Sequence, residues 1–363
     1  MTAIRTIQFR TVRRPMKTVF ATSLGRKSAA TSVLATVVLA DGIAATGEVP
    51  TSFVMPHETL EAIAAILREA REFFDGVPID EYSPRLGAFR RRHPSFHMTL
   101  AGLEVALFRA HLAARGRGEH AHWGGRLAAL ETDITVPFTT DPNSLGHWLG
   151  RMTPLGFTAY KIKVSGDVAA DMTMLRAARD LLRRARDRFI IRLDGNQGYT
   201  AATYRRMLRR LEAEKFQIEL FEQPLRKDDY AGLKRIRGWG GIPVILDETV
   251  FCAADCRRVI EANLGDGVNI KVAKSGIAES AAILALARRA KLKLMIGCMT
   301  ETMVGLSAGI RLAAGTGAFD YIDLDSVHFL SHRNRFEEIT ISNRRFSIAR
   351  GGAQSAAVTE TRA

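Results

Sequence analysis

The chain has 363 residues, of which 47% are hydrophobic and 25% are charged, and its formal net charge is +14. This length allows one large hydrophobic core and a smaller domain, and the composition is that of a soluble globular protein. No apolar run reaches the roughly 18 residues of a transmembrane helix, and charged residues interrupt any signal-peptide core near the N-terminus, so a cytoplasmic, enzyme-sized protein is predicted.

The first part of the chain, residues 1–125, predicts an α+β domain. Residues 32–48 are two apolar runs around Ala-Asp-Gly, which is typical of a β-hairpin. Residues 58–74 and 99–116 carry apolar side chains at a 3.6-residue period, which predicts two amphipathic helices.

From residue 126 to 326, short apolar runs alternate with helical patterns. The predicted strands cover residues 133–138, 158–164, 189–195, 218–224, 242–248, 267–272, 292–298 and 321–326. Eight strands with helices between them predict a (β/α)₈ barrel of the TIM type. A doubly wound sheet is the alternative, although no glycine-rich phosphate loop follows an early strand.

The C-terminal segment, residues 327–363, contains no further barrel unit. Its β-rich stretch at 336–348 is predicted to return to the N-terminal domain, and the small, polar residues 351–363 are predicted to fray. The three cysteines, Cys252, Cys256 and Cys298, indicate neither a disulfide framework nor a zinc site, which favours a reducing compartment.

The net charge of +14 raises the hypothesis of nucleic-acid binding. The arginines of the predicted helices at 171–186 and 204–213, however, alternate with apolar residues at helical spacing. In the first helix the expected buried face contains Leu175, Ala178, Leu182 and Ala185. Solvated helix faces are therefore favoured over a concentrated binding patch.

Three predicted barrel strands end in a carboxylate. Asp194, Glu222 and Asp247 follow consecutive strands and are 28 and 25 residues apart, about one βα unit each. Converging carboxylates repel each other, and a divalent cation removes that penalty. An all-oxygen ligand set selects a hard ion such as Mg²⁺, whereas capping of the following helices is the alternative interpretation.

Lysines flank this predicted metal site. Lys161 and Lys163 lie two residues apart in the second strand and therefore share one face, and Lys271 follows the sixth strand on the opposite side of the barrel. An exposed edge strand or structural ion pairs are the alternatives for these lysines.

The combination predicts proton transfer at the α-carbon of a carboxylate. Mg²⁺ stabilises the enediolate that forms when the α-proton leaves. Lys161 and a divalent cation would both favour the neutral amine of Lys163, which makes Lys163 a candidate base. Return of a proton by Lys271 on the other face inverts the stereocentre, which is racemisation or epimerisation.

The set Lys161, Lys163, Asp194, Glu222, Asp247 and Lys271 resembles the muconate-lactonizing subgroup of the enolase superfamily. Enolase-superfamily sites use a Lys or His base with Mg²⁺ stabilising the enediolate. The resemblance implies one Mg²⁺ per subunit, a homo-oligomer and an N-terminal domain that caps the barrel mouth. Cycloisomerases, o-succinylbenzoate synthases and epimerases share these residues.

The eighth strand favours the epimerases. Asp323 and Asp325 resemble the Asp-x-Asp motif of dipeptide epimerases, in which the two carboxylates bind the substrate's α-ammonium group. A turn or cap is the alternative, since Asp-x-Asp is common in loops. The segment 297–302, which includes Cys298 as a candidate substrate contact, also resembles dipeptide epimerases.

The resemblance places substrate side-chain selection in the segment 20–30. Glutamate-selecting relatives carry an arginine there, so Arg26 is the candidate, with Lys27 as its neighbour. Lys161 is a further candidate contact for a substrate carboxylate. The subgroup has Gly-Gly after the sixth-strand lysines, whereas this chain has Ser275-Gly276-Ile277.

The sequence thus predicts an isomerase, a Mg²⁺-dependent dipeptide epimerase whose leading substrate is L-Ala-L-Glu/L-Ala-D-Glu, as in murein peptide recycling. Neither nucleic acid nor membrane is expected as a partner. A cycloisomerase or o-succinylbenzoate synthase on the same fold is the first alternative, and a basic nucleic-acid-binding protein on a barrel scaffold is the second.

Overall fold

Three sheets organise the chain, whose computed structural model describes residues 2–331 and 338–349. The strands are β1 (Ile4–Thr22), β2 (Gly25–Leu39), β3 (Ala44–Pro50), β4 (Ala129–Glu131), β5 (Ile134–Val136), β6 (Ala159–Lys163), β7 (Ile190–Asp194), β8 (Ile218–Glu222), β9 (Val244–Leu246), β10 (Gly267–Ile270), β11 (Lys293–Gly297), β12 (Tyr321–Asp323), β13 (Ile339–Ser342) and β14 (Arg345–Ile348). The α-helices are α1 (Leu60–Phe74), α2 (Tyr82–Arg92), α3 (His97–Ala113), α4 (Glu119–His122), α5 (Pro142–Met152), α6 (Val168–Ala185), α7 (Ala201–Ala213), α8 (Tyr230–Ile236), α9 (Ala253–Ala262), α10 (Val272–Arg289), α11 (Met303–Thr316) and α12 (Ser326–Phe329). None of the described helices is both long enough and apolar enough to cross a bilayer.

The N-terminal sheet is antiparallel, in the order β1-β2-β3. Helices α1 and α3 pack against it, and α2 packs against these two helices. The predicted hairpin is β2–β3, with Gly42 at φ 91° in its turn, where a residue without Cβ is favoured. The backbones of β3 and α3 approach closely because Gly47 and Gly102 face each other, and a Cβ on Gly102 would lie 2.6 Å from Glu48 O. The predicted helices at 58–74 and 99–116 are α1 and α3.

Eight parallel strands form the second sheet, in the chain order β5 to β12. All eight predicted barrel strands are confirmed, and the alternative of a doubly wound sheet is wrong because the order never reverses. Hydrogen bonds outside the regular β-ladder join β5 and β12, the first and last strands of this sheet, at a seam. Asp133 N donates to Ile322 O at 3.2 Å, and Thr135 N donates to a side-chain oxygen of Asp325 at 2.5 Å. The protein therefore has the predicted TIM-type barrel fold.

Most of the helix faces predicted from the arginine pattern are confirmed. In α6, Leu175, Ala178 and Leu182 are buried, but Ala185 is exposed because the helix ends at this residue. The arginines of α6 also do more than cover a solvated face: Arg176 pairs with Glu214 at the end of α7, with Arg176 Nη2 2.7 Å from a Glu214 carboxylate oxygen.

The C-terminal strands return to the segment that precedes the barrel. β13 pairs with β14, and β14 pairs with β4. Ser331 N also donates to Pro15 O of β1 at 2.9 Å. The predicted domain limits at 125/126 and 326/327 stay a prediction, and the tail at 351–363 lies outside the described residues.

Buried glutamates of the N-terminal domain cap the helices of the barrel. Glu48 of β3 accepts hydrogen bonds from Thr302 N, Thr302 Oγ1 and Gly305 N at 2.6–2.9 Å, at the start of α11. Glu104 of α3 accepts from Ile277 N and Ala278 N at 3.1 and 3.0 Å, within α10. The N–H groups of a helix N-terminus need such acceptors, and the helix dipole favours a carboxylate there. These contacts fix the N-terminal domain over the barrel.

Substitution of Glu48 by Ala is expected to lower the free energy of unfolding by about 2–3 kcal/mol, because it leaves buried N–H groups of α11 without an acceptor. Urea denaturation followed by circular dichroism measures this change. The control is Glu69→Ala, whose ion pair with Arg92 is exposed, with an expected change within about 0.5 kcal/mol. Equal losses in the two variants would show that the Glu48 caps do not stabilise the fold.

Candidate active site

A cavity lies where the carboxyl ends of the barrel strands face the N-terminal domain. The barrel side of its wall includes Lys161, Lys163, Asn196, Asp247, Glu248, Lys271, Cys298, Asp323 and Asp325. The N-terminal domain contributes Phe20, Thr22, Leu24, Lys27, Ser52, Phe53 and Val54. Catalytic sites of (β/α)₈ barrels lie at this end, so the cavity is the candidate active site.

Strand β6 carries the two lysines into the middle of the sheet. It pairs with β5 on one side and β7 on the other, and all five of its residues are buried. The alternative of an exposed edge strand is therefore wrong. Lys163 lies opposite Asp194 in the register of β7, and its Nζ contacts Asp194 Oδ2.

Lys161 lies among carboxylates from three strands. Its Nζ contacts Asp323 Oδ2, lies 3.2 Å from Glu222 Oε2 and lies 3.7 Å from Asp194 Oδ2. Burial alone would lower the pKa of Lys161, but Asp323 and the other carboxylates raise it well above its ordinary value. Lys161 is therefore a fixed positive charge.

Asp194, Glu222 and Asp247 lie at the ends of the adjacent strands β7, β8 and β9. A lysine lies against each carboxylate: Lys163 contacts Asp194, Lys161 pairs with Glu222, and Lys271 Nζ is 2.6 Å from Asp247 Oδ2. The N-cap residues of the helices that follow these strands are Thr200, Asp229 and Cys252. The alternative that these carboxylates cap helices is therefore wrong.

The carboxylates at this rim fit a divalent cation. Burial, followed by the charge of Asp194, raises the pKa of Glu222 to about 7, and a bound cation would oppose both effects. Glu248 Oε2 and Asn196 Oδ1 line the same cavity region, are buried and have no hydrogen-bond partner. All of these donor atoms are oxygens, which suits a hard cation such as Mg²⁺.

Lys271 lies across the cavity from Lys163, because β10 and β6 are four strands apart in the eight-stranded sheet. Burial alone would lower the pKa of Lys271, but Asp247, followed by Glu222, raises it above its ordinary value. Both lysines line one cavity from opposite sides, which places an amine on each face of a ligand held between them.

Lys274 was not singled out from the sequence. Its Nζ lies 2.6 Å from Asp247 Oδ1 and 2.5 Å from Asp247 O. The sequence spacing could have identified it, because Lys274 follows Lys271 by three residues. Residues three apart lie on the same side of a helical turn. Gly276 then breaks the helix at φ 76° and ψ −170°, and a Cβ there would lie 2.1 Å from Glu104 Oε2. The second position of the usual Gly-Gly therefore requires glycine, whereas Ser275 is accommodated at the first.

The structure brings Asp323 and Asp325 together at the end of β12. Asp325 Oδ2 accepts from Thr135 N at 2.5 Å, and Cys298 Sγ is 3.8 Å from Asp325 Oδ1. Burial, followed by the charge of Asp323, raises the pKa of Asp325 to about 6. Together with Asp133, these residues are a set of described carboxylates whose oxygens lie within 4.8 Å of one another. Asp133 was not identified from the sequence because it precedes its strand instead of ending it.

The structure does not bring Arg26 to the cavity. Arg26 is exposed on β2, whereas Lys27 lines the cavity, because successive strand residues point to opposite faces. Lys27 Nζ donates to Thr51 O at 3.2 Å and lies 5.7 Å from the centre of the Phe53 ring. Burial lowers the pKa of Lys27 to about 8.

A family model for the enolase C-terminal domain-like family matches residues 147–352. An L-Ala-D/L-Glu epimerase of Thermotoga maritima is 33% identical over 80% of this chain and 82% of its own. An aromatic dipeptide epimerase of Herpetosiphon aurantiacus is 30% identical over 91% and 92%. The solved structure of the L-Ala-D/L-Glu epimerase from Bacillus subtilis with a bound substrate has a TM-score of 0.87 at 28% identity, covering 96% of both chains.

Glu301 lies in the segment 297–302, beside the cavity wall. It is buried, and its Oε1 accepts from Met299 N at 3.1 Å. Burial, followed by the charge of Glu48, raises the pKa of Glu301 to about 8. Glu301 is therefore largely protonated in the folded protein at neutral pH.

The raised pKa of Glu301 predicts a pH-dependent stability. Between pH 4.5, the ordinary pKa, and about pH 8, the folded state binds more protons at Glu301 than the unfolded state, so stability falls as pH rises. Glu301→Gln removes this dependence. We expect the free energy of unfolding of Glu301→Gln, relative to that of the wild type, to increase by on the order of 3 kcal/mol as the pH rises across this window. Urea denaturation at several pH values measures this difference. A constant difference at all pH values would contradict the assignment.

Proposed function

Because the chain belongs to the enolase C-terminal domain-like family, we propose that it is an isomerase that epimerises the C-terminal residue of a dipeptide. The leading substrate pair is L-Ala-L-Glu and L-Ala-D-Glu. We place the enzyme in the cytoplasm as a homo-oligomer that uses one Mg²⁺ per subunit. The observation that carries the proposal is the arrangement of Lys163 and Lys271 on opposite sides of a cavity whose rim also holds carboxylates for a cation and for an ammonium group.

Asp194, Glu222 and Asp247 would hold the Mg²⁺. Their buried oxygens lie on three adjacent strands, between the two lysines in sheet order. A bound divalent cation would stabilise the negative charge that develops on the substrate's carboxylate when its α-proton leaves.

Lys163 and Lys271 would exchange the α-proton, one on each face of the substrate's α-carbon. One amine removes the proton, and the other ammonium group delivers a proton to the opposite face, which inverts the configuration. In the reverse direction the two lysines exchange roles, and Mg²⁺ held by Asp247 and Glu222 would offset the carboxylate charge that raises the pKa of Lys271. Asp194 against Lys163 and Asp247 against Lys271 would orient the two amines before the substrate arrives.

Asp323 and Asp325 would bind the ammonium group at the other end of the dipeptide, and Cys298 would contact the substrate beside them. Lys161 connects the two ends of the site because it contacts Asp323 as well as Glu222. This fixed charge would also attract the reacting carboxylate of the substrate. A buried carboxylate pair favours a cationic substrate end, which a muconolactone or an o-succinylbenzoate does not possess. A dipeptide is therefore favoured over the cycloisomerase and o-succinylbenzoate synthase alternatives.

Lys27 is our candidate for contact with the glutamate side chain, in place of Arg26. Its ammonium group lies in the cavity wall, where burial disfavours its charge, and no carboxylate among the described residues forms an ion pair with it. An acidic substrate side chain would supply the missing negative charge. Phe53 and Leu24 beside it would contact the methylene groups of that side chain.

Lys163→Ala and Lys271→Ala are each expected to lower the rate of epimerisation by roughly 10²–10⁴-fold, because each removes the proton donor or acceptor of one face. Incubation of L-Ala-L-Glu and L-Ala-D-Glu in D₂O, followed by mass spectrometry, measures α-deuterium incorporation. Each variant is expected to retain exchange with one epimer only, and the two variants with opposite epimers. Full exchange of both epimers by Lys163→Ala would refute the base assignment, and no exchange of any dipeptide by the wild type would refute the function.

Lys27→Met is expected to lower kcat/KM for L-Ala-L-Glu by roughly 10–100-fold and to change kcat/KM for L-Ala-L-Met by less than about threefold. Arg26→Met is the matched control, since Arg26 is the neighbouring exposed cation, and is expected to leave both values within about threefold of the wild type. For the wild type, KM for L-Ala-L-Glu is expected to rise above about pH 8, where Lys27 loses its charge. A larger effect of Arg26→Met would return the role to Arg26.

A further inference from the structure

The seam between β5 and β12 contains one buried carboxylate that the proposed mechanism does not use. Asp133, Asp323 and Asp325 each place an oxygen within 4.8 Å of the others, and each residue is at most 4% exposed. Asp323 and Asp325 line the cavity, whereas Asp133 lies behind them and is not part of the cavity wall.

One arginine holds Asp133 on the side away from the cavity. Arg192 Nη1 donates to Asp133 Oδ2 at 2.7 Å, and Arg192 Nε donates to Glu219 Oε2 at 2.6 Å. Two carboxylates thus share a single guanidinium group. The other oxygen, Asp133 Oδ1, is buried and has no hydrogen-bond partner among the described residues, and the same is true of Asp323 Oδ1.

The charges around Asp133 do not balance. The cations that face it are Arg192 from β7 and Lys161 from β6, and Lys161 also pairs with Glu222 and Asp194 of the rim. The carboxylates of this region are Asp133, Asp323, Asp325 and Glu219. Unpaired buried carboxylates are costly, and a proton held within the cluster removes part of that cost.

Asp133 is the group best placed to hold that proton. It is the member of the cluster farthest from the cavity, and one of its oxygens lacks a donor. Burial, followed by the charge of Asp323, raises the pKa of Asp133 well above its ordinary value. A protonated Asp133 could donate to a carboxylate oxygen of its neighbour and so fix the orientation of Asp323.

We propose that Asp133 is a positioning residue of the ammonium site, and that it releases a proton to solvent when the α-ammonium group of the dipeptide binds to Asp323 and Asp325. The O–H bond of the Asp133 carboxyl breaks, its electron pair stays on the carboxylate, and the proton passes to the buffer. The incoming ammonium group and Arg192 then supply the positive charge. This inference rests on the proposed function.

Isothermal titration calorimetry of the Mg²⁺-loaded full chain tests the inference. The probe is L-Ala-D/L-Glu already at epimeric equilibrium, so that no net reaction contributes heat. Titrations near neutral pH in phosphate and in Tris, which differ in ionisation enthalpy, give the number of protons released. The wild type is expected to release about one proton per site more than Asp133→Asn, whose amide retains a donor but cannot ionise. Propionyl-L-Glu, which lacks the ammonium group, is expected to release about one proton fewer than the dipeptide.

Kinetics give a second readout that a merely structural role would not produce. Asp133→Asn is expected to raise KM for L-Ala-L-Glu by roughly tenfold and to have a smaller effect on kcat. In the wild type, KM should fall with rising pH up to about pH 8, below which Lys27 keeps its charge, because binding releases a proton. This slope should be absent in Asp133→Asn.

Equal proton release by the wild type and Asp133→Asn, or by the dipeptide and propionyl-L-Glu, would overturn the inference while leaving the epimerase function intact. If Asp133→Asn does not fold, the wild type alone decides. Its infrared difference spectrum should show the loss of one protonated carboxylic acid on addition of the dipeptide, while the band of Glu301 persists, and no loss would overturn the inference. A dipeptide that neither binds nor exchanges would overturn the proposed function and this inference together.

Discussion

The ammonium group of Lys161, buried at the centre of the barrel, is the charge on which the rest of the site depends. Its contacts reach Asp194 on β7, Glu222 on β8 and Asp323 on β12, so that one cation joins the metal-binding rim to the ammonium site. Neither the lysine nor the carboxylates could be buried alone, because each would then be an uncompensated charge in a low-dielectric interior. In the proposed function, the same side chain would therefore position the groups that bind the two ends of the dipeptide.

The N-terminal domain is held in place by the same kind of interaction. Glu48 and Glu104 supply acceptors to N–H groups of barrel helices, so the domain that covers the cavity is docked through buried carboxylates as well as apolar packing. Barrel enzymes typically have their catalytic residues at the strand ends, whereas other segments form the wall of the substrate pocket. Lys27 and Phe53 belong to the N-terminal domain that covers the cavity. A change in this domain can therefore alter which substrate side chain is preferred without moving the lysines of the barrel strands.

Charge is left unbalanced at three places in the cavity region, and a dipeptide with its cation would complete each of them. Burial and the charge of Asp194 disfavour the ionised form of Glu222, and Mg²⁺ would offset both effects. The cluster of Asp133, Asp323 and Asp325 carries an excess of negative charge, which the α-ammonium group would neutralise. Lys27 is a half-buried cation that a glutamate side chain would complete. Mg²⁺, the α-ammonium group and the glutamate side chain would each occupy a different part of the cavity region. This arrangement favours one orientation of the substrate.

The sequence by itself determined the barrel strands and the residues at their ends. Each strand is a short apolar run that can be recognised locally, and Asp194, Glu222, Asp247 and Lys271 recur about one βα unit apart. Both the fold and the chemistry therefore follow from spacing along the chain. Only the tertiary structure decided that Lys27 and not Arg26 faces the cavity, and that Asp133 lies beside Asp323 and Asp325. Those choices depend on which face of a hairpin is laid over the barrel and on which strands meet at its seam. Both the placement of the hairpin and the pairing at the seam are set by contacts between residues distant in sequence, such as Glu48 with Thr302. The hydrophobic period of a single strand does not predict such contacts.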